Sequence, residues 1–192
     1  MLHQNHITVA PGIVRTKKIK AIAEANQLSQ LAVVIKQYEK QIKELLYQHP
    51  DHHIFLSYPG VAEILAARLL ALFGDNRSRF TDASELQAIT GTYPVTEKIG
   101  KNSVIIYFRR ACDKFYRDLM HQLAFSSLTK TKWTMAYYRQ HRARQMNHAH
   151  VLRCLANIHL KILFAMWKNK TEYDENIFLA QRTRNIIGIE KF

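Results

Sequence analysis

The chain has 192 residues, 47% of them hydrophobic, and carries a net charge of +13. This hydrophobic content excludes a disordered tail. The sequence contains no run of about 18 apolar residues, so we predict no transmembrane helix. Cys112 and Cys154 fit neither a zinc motif nor a disulfide framework, so we expect a reducing compartment such as the cytoplasm.

The first predicted element is a long helix over 15–49, which follows an N-terminal tail (1–14) and ends at Pro50. Its apolar residues repeat at alternating spacings of three and four, which predicts a coiled coil. The seam could pack against another helix of the same chain, but we favour a homodimer or higher oligomer. The seam residues are Leu28, Leu31, Ile35, Tyr38, Ile42 and Leu45.

Two apolar helices joined by a tight turn follow between Ile54 and Asp75. The turn Pro59-Gly60-Val61 is typical of a helix-hairpin-helix, in which backbone amides and the helix dipole bind a phosphate. Ala62 stands where such hairpins usually have a second glycine. An ordinary pair of helices therefore remains the alternative at this position.

The remainder of the chain is predicted to be helical with one short strand, so the fold class is mainly α. Asp82 and Glu85 have the spacing of a capping box that opens a short helix ending at Gly91. A polar loop, Pro94–Ser103, precedes the strand at 104–108. Helices are then expected near 110–128, 132–145 and 148–169, within a domain at 54–170 that ends in a tail, 171–192.

The positive charge is concentrated in the second half of the chain. From Lys101 to Lys170 there are fourteen Lys and Arg residues against Asp113 and Asp118, which leaves +12 in this segment. Aromatic residues alternate with these charges, as expected for a surface that binds nucleic acid. A solvated basic face without a partner is the alternative interpretation.

The sequence offers little catalytic chemistry of its own. Its fifteen acidic residues form no constellation for Mg²⁺, and no Gly-rich phosphate loop occurs. The histidines near His49 and His148 are more typical of exposed loops and helix caps than of zinc ligands. We therefore predict no metal and no cofactor bound by this chain.

A series of motifs resembles one insertion-sequence transposase family: "LSYPGV", "LLALFGD", "RFTDASELQAITGTYPVTEKIGKNS" and "RRACDKFYRDLMHQLAFSSL". The resemblance covers about 30–173. Members combine a DEDD-type, RNase H-like domain, a coiled coil and a helical C-terminal domain. They are RNA-guided (bridge RNA) recombinases related to Piv-type invertases. The resemblance implies DNA as partner, a guide RNA, Mg²⁺ in the DEDD domain and a bacterial cytoplasmic location without a membrane.

The same resemblance assigns a catalytic position. The family's nucleophilic serine lies in a Pro-x-x-x-x-Ser-Gly loop, and here the frame from Pro94 to Gly100 has Ile99 in its place. An isoleucine has no oxygen with which to attack a phosphate. The alternative is that Ile99 packs onto the core and the frame is shifted.

The sequence thus predicts a transposase-family DNA-binding protein for transposition or site-specific recombination. Because the sequence begins at the coiled coil, we expect a truncated or catalytically impaired copy. The alternative is a stand-alone nucleic-acid-binding module that dimerises with and modulates an intact transposase; a helix-hairpin-helix repair factor is a third. The predicted DNA-binding residues are Pro59, Gly60, Val61, Arg77, Arg79, Lys98, Gly100, Lys101, Arg109, Arg110, Arg139, Arg142 and Arg144.

Overall fold

The structure is a computed structural model that describes residues 10–99 and 103–177, with only the backbone described at 97–99 and 103–105. It confirms the mainly α fold class. Two compact units divide the chain at 44/45. The elements in chain order are α1 (Pro11–Gln48), α2 (His52–Leu56), α3 (Glu63–Phe73), α4 (Ala83–Ile89), β1 (Val95–Ile99), β2 (Ser103–Tyr107), α5 (Lys114–Ser127), α6 (Lys132–Ala143) and α7 (His148–Asn169).

The long N-terminal helix is present and begins a turn earlier than predicted, at Pro11. Proline suits the first helical position because its missing N–H would have no partner there. Five of the six predicted seam residues are exposed, with fractions from 55% for Ile35 to 67% for Leu28, and Ile42 is half-buried. The described helix therefore carries an uncovered apolar stripe along the predicted seam.

The core of the second unit forms where α5 and α7 pack together, with α2, α3, α4 and α6 around them. Trp167, Phe55 and Phe73 are its largest fully buried side chains. By length and hydropathy alone α7 could cross a membrane. However, nine of its side chains are buried in this core, as in the central helix of a globular domain.

The capping box at the start of α4 is confirmed with a small shift. The Asp82 carboxylate accepts from the Ser84 N–H at 2.6 Å, which also lowers the pKa of Asp82. The Glu85 carboxylate accepts from the Thr81 N–H at 3.0 Å, so it reaches the residue before the cap. The first bond satisfies an amide that the first helical turn leaves open, and the second fixes the chain just before the cap.

The predicted polar loop at Pro94–Ser103 is wrong in part, because a second strand occupies most of it. β1 pairs antiparallel with β2 to form a two-stranded hairpin, in which Val95 is opposite Tyr107 and Ile99 opposite Ser103. The predicted strand at 104–108 corresponds to β2. β1 was missed because "VTEKI" lacks the apolar alternation that burial imposes, and Val95, Ile106 and Tyr107 are all exposed.

Candidate nucleic-acid interface

The turn between α2 and α3 is fixed by the end of α5. Gly60 has φ +86°, and a Cβ there would lie 3.0 Å from the Ser126 Oγ and 3.2 Å from the Ser127 backbone nitrogen. The Ser126 hydroxyl donates to the Gly60 carbonyl at 3.0 Å. Glycine is therefore required both by its backbone conformation and by this close approach.

The same turn offers less to a phosphate than the sequence predicts. The Val61 N–H is already bonded to the Tyr58 carbonyl at 3.1 Å. Ala62, the N-cap of α3, makes no side-chain cap bond, and the acidic Glu63 lies in the first turn. A carboxylate at this position interacts favourably with the helix dipole, and its negative charge repels an approaching phosphate. Phosphate binding by Pro59, Gly60 and Val61 stays a prediction.

A buried polar network lies directly beneath this turn. Tyr58 bonds to the His159 Nδ1 at 2.6 Å, and Ser127 bonds to the His159 Nε2 at 2.9 Å. The Ser127 hydroxyl donates to the Ala124 carbonyl at 2.8 Å, so it accepts from the Nε2–H, and the Tyr58 hydroxyl must donate to Nδ1. Burial lowers the pKa of His159 to about 3, so its ring is neutral in the folded protein at neutral pH.

The loop between α3 and α4 presents one of its two predicted arginines to solvent. The Arg77 guanidinium forms a 2.6 Å ion pair with Asp51 and lies 4.7 Å from the Trp167 ring centroid. With its side chain 20% exposed, Arg77 mainly holds the loop in place. Arg79 is exposed and stacks on Phe80, so it is the arginine available for a ligand.

The residues predicted around the catalytic position are only partly described. Lys98 and Ile99 are the last two residues of β1, and nothing is described of their side chains. Gly100 and Lys101 lie outside the described residues. The hairpin register pairs Ile99 with Ser103 across the two strands.

Four arginines lie near the point where the hairpin meets the helices. The Arg109 Nε donates to the Tyr93 carbonyl at 3.3 Å, whereas Arg110 is exposed. The guanidinium groups of Arg117 and Arg153 lie 5.1 and 4.5 Å from the centroid of the Phe108 ring. These distances are within cation–π range, so both cations are held against an aromatic residue that is itself 39% exposed.

The electrostatic effect of this arginine pair is visible at a neighbouring histidine. Burial lowers the pKa of His121, and the charges of Arg153 and Arg117 lower it further. A positive potential disfavours a further positive charge, whereas the Asp118 carboxylate acts on His121 in the opposite direction. Arg117 and Arg153 were not among the residues predicted from the sequence.

The start of α6 forms an open pocket of about 370 Å³. The predicted Arg139 lines it, together with Lys130 and Lys132, which sequence reasoning missed. Farther along, Arg142 and Arg144 are exposed, and the Arg142 guanidinium donates to the Met146 carbonyl at 2.6 Å. The signal for the missed lysines was available, since no Asp or Glu occurs between Leu119 and Thr171.

One group of side chains has the spacing of a metal site, namely His49, Asp51 and Asp75. The side-chain atoms that could bind a metal ion already form hydrogen bonds or an ion pair within the protein. The His49 Nδ1 accepts the Asp51 N–H, so its Nε2 carries the proton that bonds to Asp75 at 2.7 Å, and Asp51 is paired with Arg77. A cation would have to displace a proton and compete with a guanidinium, so this group does not fit the Mg²⁺ of the resembled family.

Comparison with known proteins finds a family match in the second unit and relatives among the proteins of insertion elements. Residues 52–139 match the family described as "Transposase IS116/IS110/IS902 family". The chain is 30% identical over 154 residues to the proposed transposase of the IS117 mini-circle of Streptomyces coelicolor, which covers 80% of this chain. It is 32% identical over 139 residues to the 43.6 kDa protein of insertion element IS110 from the same species, covering 72% of this chain.

A third relative comes from a different genus. The 42 kDa protein of insertion element IS900 from Mycobacterium paratuberculosis is 27% identical over 149 residues, or 78% of this chain. The matches cover 37%, 34% and 37% of the three relatives, so the chain spans little more than a third of their length. The chain is thus similar to proteins of several insertion elements, and the family match at 52–139 lies within the second unit.

Proposed function

We propose that this chain acts in DNA transposition, as the part of a transposase that binds DNA without reading its sequence. The observation that carries the proposal is a cationic surface that begins within the matched segment, 52–139, and continues beyond it. The helices α6 and α7 contain no acidic residue, and α6 exposes Arg139 and Arg142. Phosphate contacts of this kind give affinity and position a protein on the duplex, but they do not select bases.

A salt titration tests this proposal. With roughly six phosphate contacts, the log–log slope of duplex affinity against salt should be about −5. Arg139→Gln with Arg142→Gln should weaken binding and make the slope shallower by about 2. The matched control is Lys17→Gln with Lys18→Gln, which removes the same charge from exposed positions of α1 and should have a smaller effect. Affinity that does not change with salt would contradict the proposal.

We also propose that the chain does not itself form a covalent bond with DNA. Support comes from the transposase motif, in which Ile99 occupies the position of the resembled family's serine. Such a serine would attack phosphorus through its Oγ, expel a deoxyribose oxygen and lose its proton to a base. Isoleucine provides no such oxygen. In the resembled family, the carboxylates that bind the metal ion belong to the DEDD domain.

Adduct trapping on denaturing gels tests this second proposal. The unmodified chain should give no protein–DNA adduct, and Ile99→Ser alone should give none either. Ile99→Ser joined in cis to a DEDD domain from a relative should give one, whereas the same fusion with Ile99 retained is the control. An adduct with the unmodified chain would mean that another residue is the nucleophile. Ser103, the cross-strand partner of Ile99, would then be substituted first.

We propose that α1 pairs with α1 of a second copy, as a homodimer or a larger assembly. The support is the exposed stripe along the predicted seam, which includes Leu28, Leu31 and Ile35. A continuous apolar stripe in water is unfavourable, and two such stripes bury each other in a coiled coil. A short seam makes pairing concentration-dependent, as for other marginal coiled coils.

Light scattering on seam variants tests the pairing. Leu31→Glu with Ile42→Glu places charges in the seam and should yield a monomer. The control is Val33→Glu with Gln37→Glu, which adds the same charge outside the 3-4 seam and should leave the assembly intact. If the unmodified chain is a monomer at tens of micromolar, the pairing proposal is wrong.

A second candidate function follows from the same helix. A chain with the stripe on α1 and a cationic second unit would act as a module that pairs with an intact transposase and modulates it. The two functions differ in whether the chain alters transposition when it is co-expressed with a complete relative.

A guide RNA is a further proposed partner, tested by competition against duplex DNA. The resemblance to an insertion-sequence transposase family also leads us to propose a location in the bacterial cytoplasm.

A further inference from the structure

The pocket at the start of α6 is lined by three cations, by two threonines, Thr129 and Thr131, and by two apolar residues. Lys130, Lys132 and Arg139 line it, and Met135 and Ala136 lie between them in the sequence. Lys132 and Arg139 are seven residues apart on one face of the helix, which separates their backbone positions by about 10 Å. All three cations are exposed.

The charge of this pocket has no counterpart in the part of the chain that the structure describes. No described carboxylate lies within ion-pair distance of Lys130, Lys132 or Arg139. By contrast, Arg77 is paired with Asp51, and Arg68 lies 3.5 Å from Asp118. Three cations left without a carboxylate repel one another, and an external anion relieves that repulsion.

The location of the pocket is fixed by the hairpin network. The Ser127 carbonyl accepts bonds from the Thr134 hydroxyl at 2.8 Å and from the Lys130 N–H at 3.0 Å. Ser127 is also the residue whose hydroxyl holds His159 and whose backbone packs against Gly60. The turn between α5 and α6 is therefore rigidly attached to the core, and the pocket's cations project from a defined frame.

We propose that this pocket binds the sugar–phosphate backbone of duplex DNA, with its cations on phosphates and its apolar residues against deoxyribose. The proposal rests on the proposed DNA-binding function and names a site within it. Lysine and arginine suit phosphate oxygens, and the side chains of Met135 and Ala136 suit the apolar face of a sugar. Among the described residues, the lining includes no aromatic ring that could stack on an unpaired base, which favours a duplex over a single strand.

Neutralising the pocket lysines tests the inference. Lys130→Gln with Lys132→Gln should make the salt slope for duplex binding shallower by about 2 and weaken binding about tenfold or more at 0.1 M salt. The loss should be equal for duplexes of unrelated sequence. The matched control is Lys114→Gln with Lys161→Gln, two exposed lysines on α5 and α7, which should leave both quantities near the values of the unmodified chain.

The outcomes separate this inference from the function on which it rests. If the unmodified chain binds no duplex, the proposed function fails and the pocket inference falls with it. If the unmodified chain binds duplex DNA but the pocket variant and the control variant lose the same amount of duplex affinity, the pocket is not the binding site. The proposed DNA-binding function then still holds. If the pocket pair loses single-strand or RNA binding and retains duplex binding, the duplex assignment is overturned. A circular dichroism spectrum like that of the unmodified chain excludes misfolding as the cause.

Discussion

The free energy of unfolding should rise as the pH rises from about 3 to 6.5, and His159→Gln should flatten this rise. Unfolded histidine takes up a proton below its ordinary pKa of 6.5, whereas burial delays protonation of folded His159 to about pH 3. The unfolded state therefore binds more protons in this window, and acid favours it. One such group contributes about 1.4 kcal/mol per pH unit, hence roughly 2–3 kcal/mol between pH 6.5 and 4.5.

Urea unfolding followed by tryptophan fluorescence measures this effect. Both tryptophans are buried in the second unit, and the Trp133 ring lies 5.3 Å from that of His159. His159→Gln should be less stable than the unmodified chain at pH 7, because Tyr58 and Ser127 lose their partner. Its loss of stability between pH 6.5 and 4.5 should nevertheless be smaller.

The half-buried His121 provides the control for the pH effect. Its pKa is lowered in the same direction, so His121→Gln should also flatten the rise, but by less than His159→Gln because its ring is partly solvated. Parallel stability curves for the unmodified chain and His159→Gln would mean that folded His159 takes up its proton over the same pH range as in the unfolded chain. The turn at Gly60 would then lack the neutral network that anchors it.

The sequence was sufficient for the helical elements because local signals are strong there. The capping box at Asp82 and the period of α1 depend on neighbours within one or two turns of helix. The β-hairpin was harder, because β1 is polar, its described side chains are exposed, and its sequence lacks the apolar alternation of a buried strand. A strand that buries little apolar surface does not require alternating apolar residues, so its sequence gives little indication of its structure.

The candidate interface was predictable as a region but not residue by residue. Net charge located the basic segment, yet it could not separate Arg77, which is paired with Asp51, from the exposed Arg79. Nor could it show that Lys130 and Lys132 share a pocket with Arg139, since this depends on how the α5–α6 turn folds. Pairing and clustering of charges are tertiary properties, which composition does not encode.

The base of the hairpin depends on a glycine. Gly91 has φ +69° and follows α4, and a Cβ added there would lie 2.6 Å from the Cys112 Sγ and 2.9 Å from the Cys112 Cβ. The Asp113 N–H donates to the Ile89 carbonyl at 2.8 Å beside it. The chain entering the hairpin and the chain leaving it are thus held together at this point, which positions the strand that carries Ile99.

Gly91→Ala should therefore lower the free energy of unfolding by about 2–5 kcal/mol. Roughly 1–2 kcal/mol comes from placing an L-residue at positive φ, and about 1–3 from forcing Cys112 away. The Cys112 Cβ is attached to the backbone and cannot move aside as a flexible side-chain end would. Urea unfolding at pH 7 measures the loss. Gly12→Ala is the control, because nothing lies within 4 Å of a Cβ at that helical position.

A double-variant cycle identifies the contact responsible. Cys112→Ala removes the sulfur at 2.6 Å but leaves the Cβ at 2.9 Å, so it should rescue Gly91→Ala only in part. The combined loss should be smaller than the two single losses added together, by at least about 0.5 kcal/mol, as expected for residues in contact. Exactly additive losses would mean that the backbone conformation alone requires glycine. An unchanged unfolding midpoint for Gly91→Ala would mean that neither the backbone conformation nor Cys112 constrains this position, and that the hairpin base is held by other contacts.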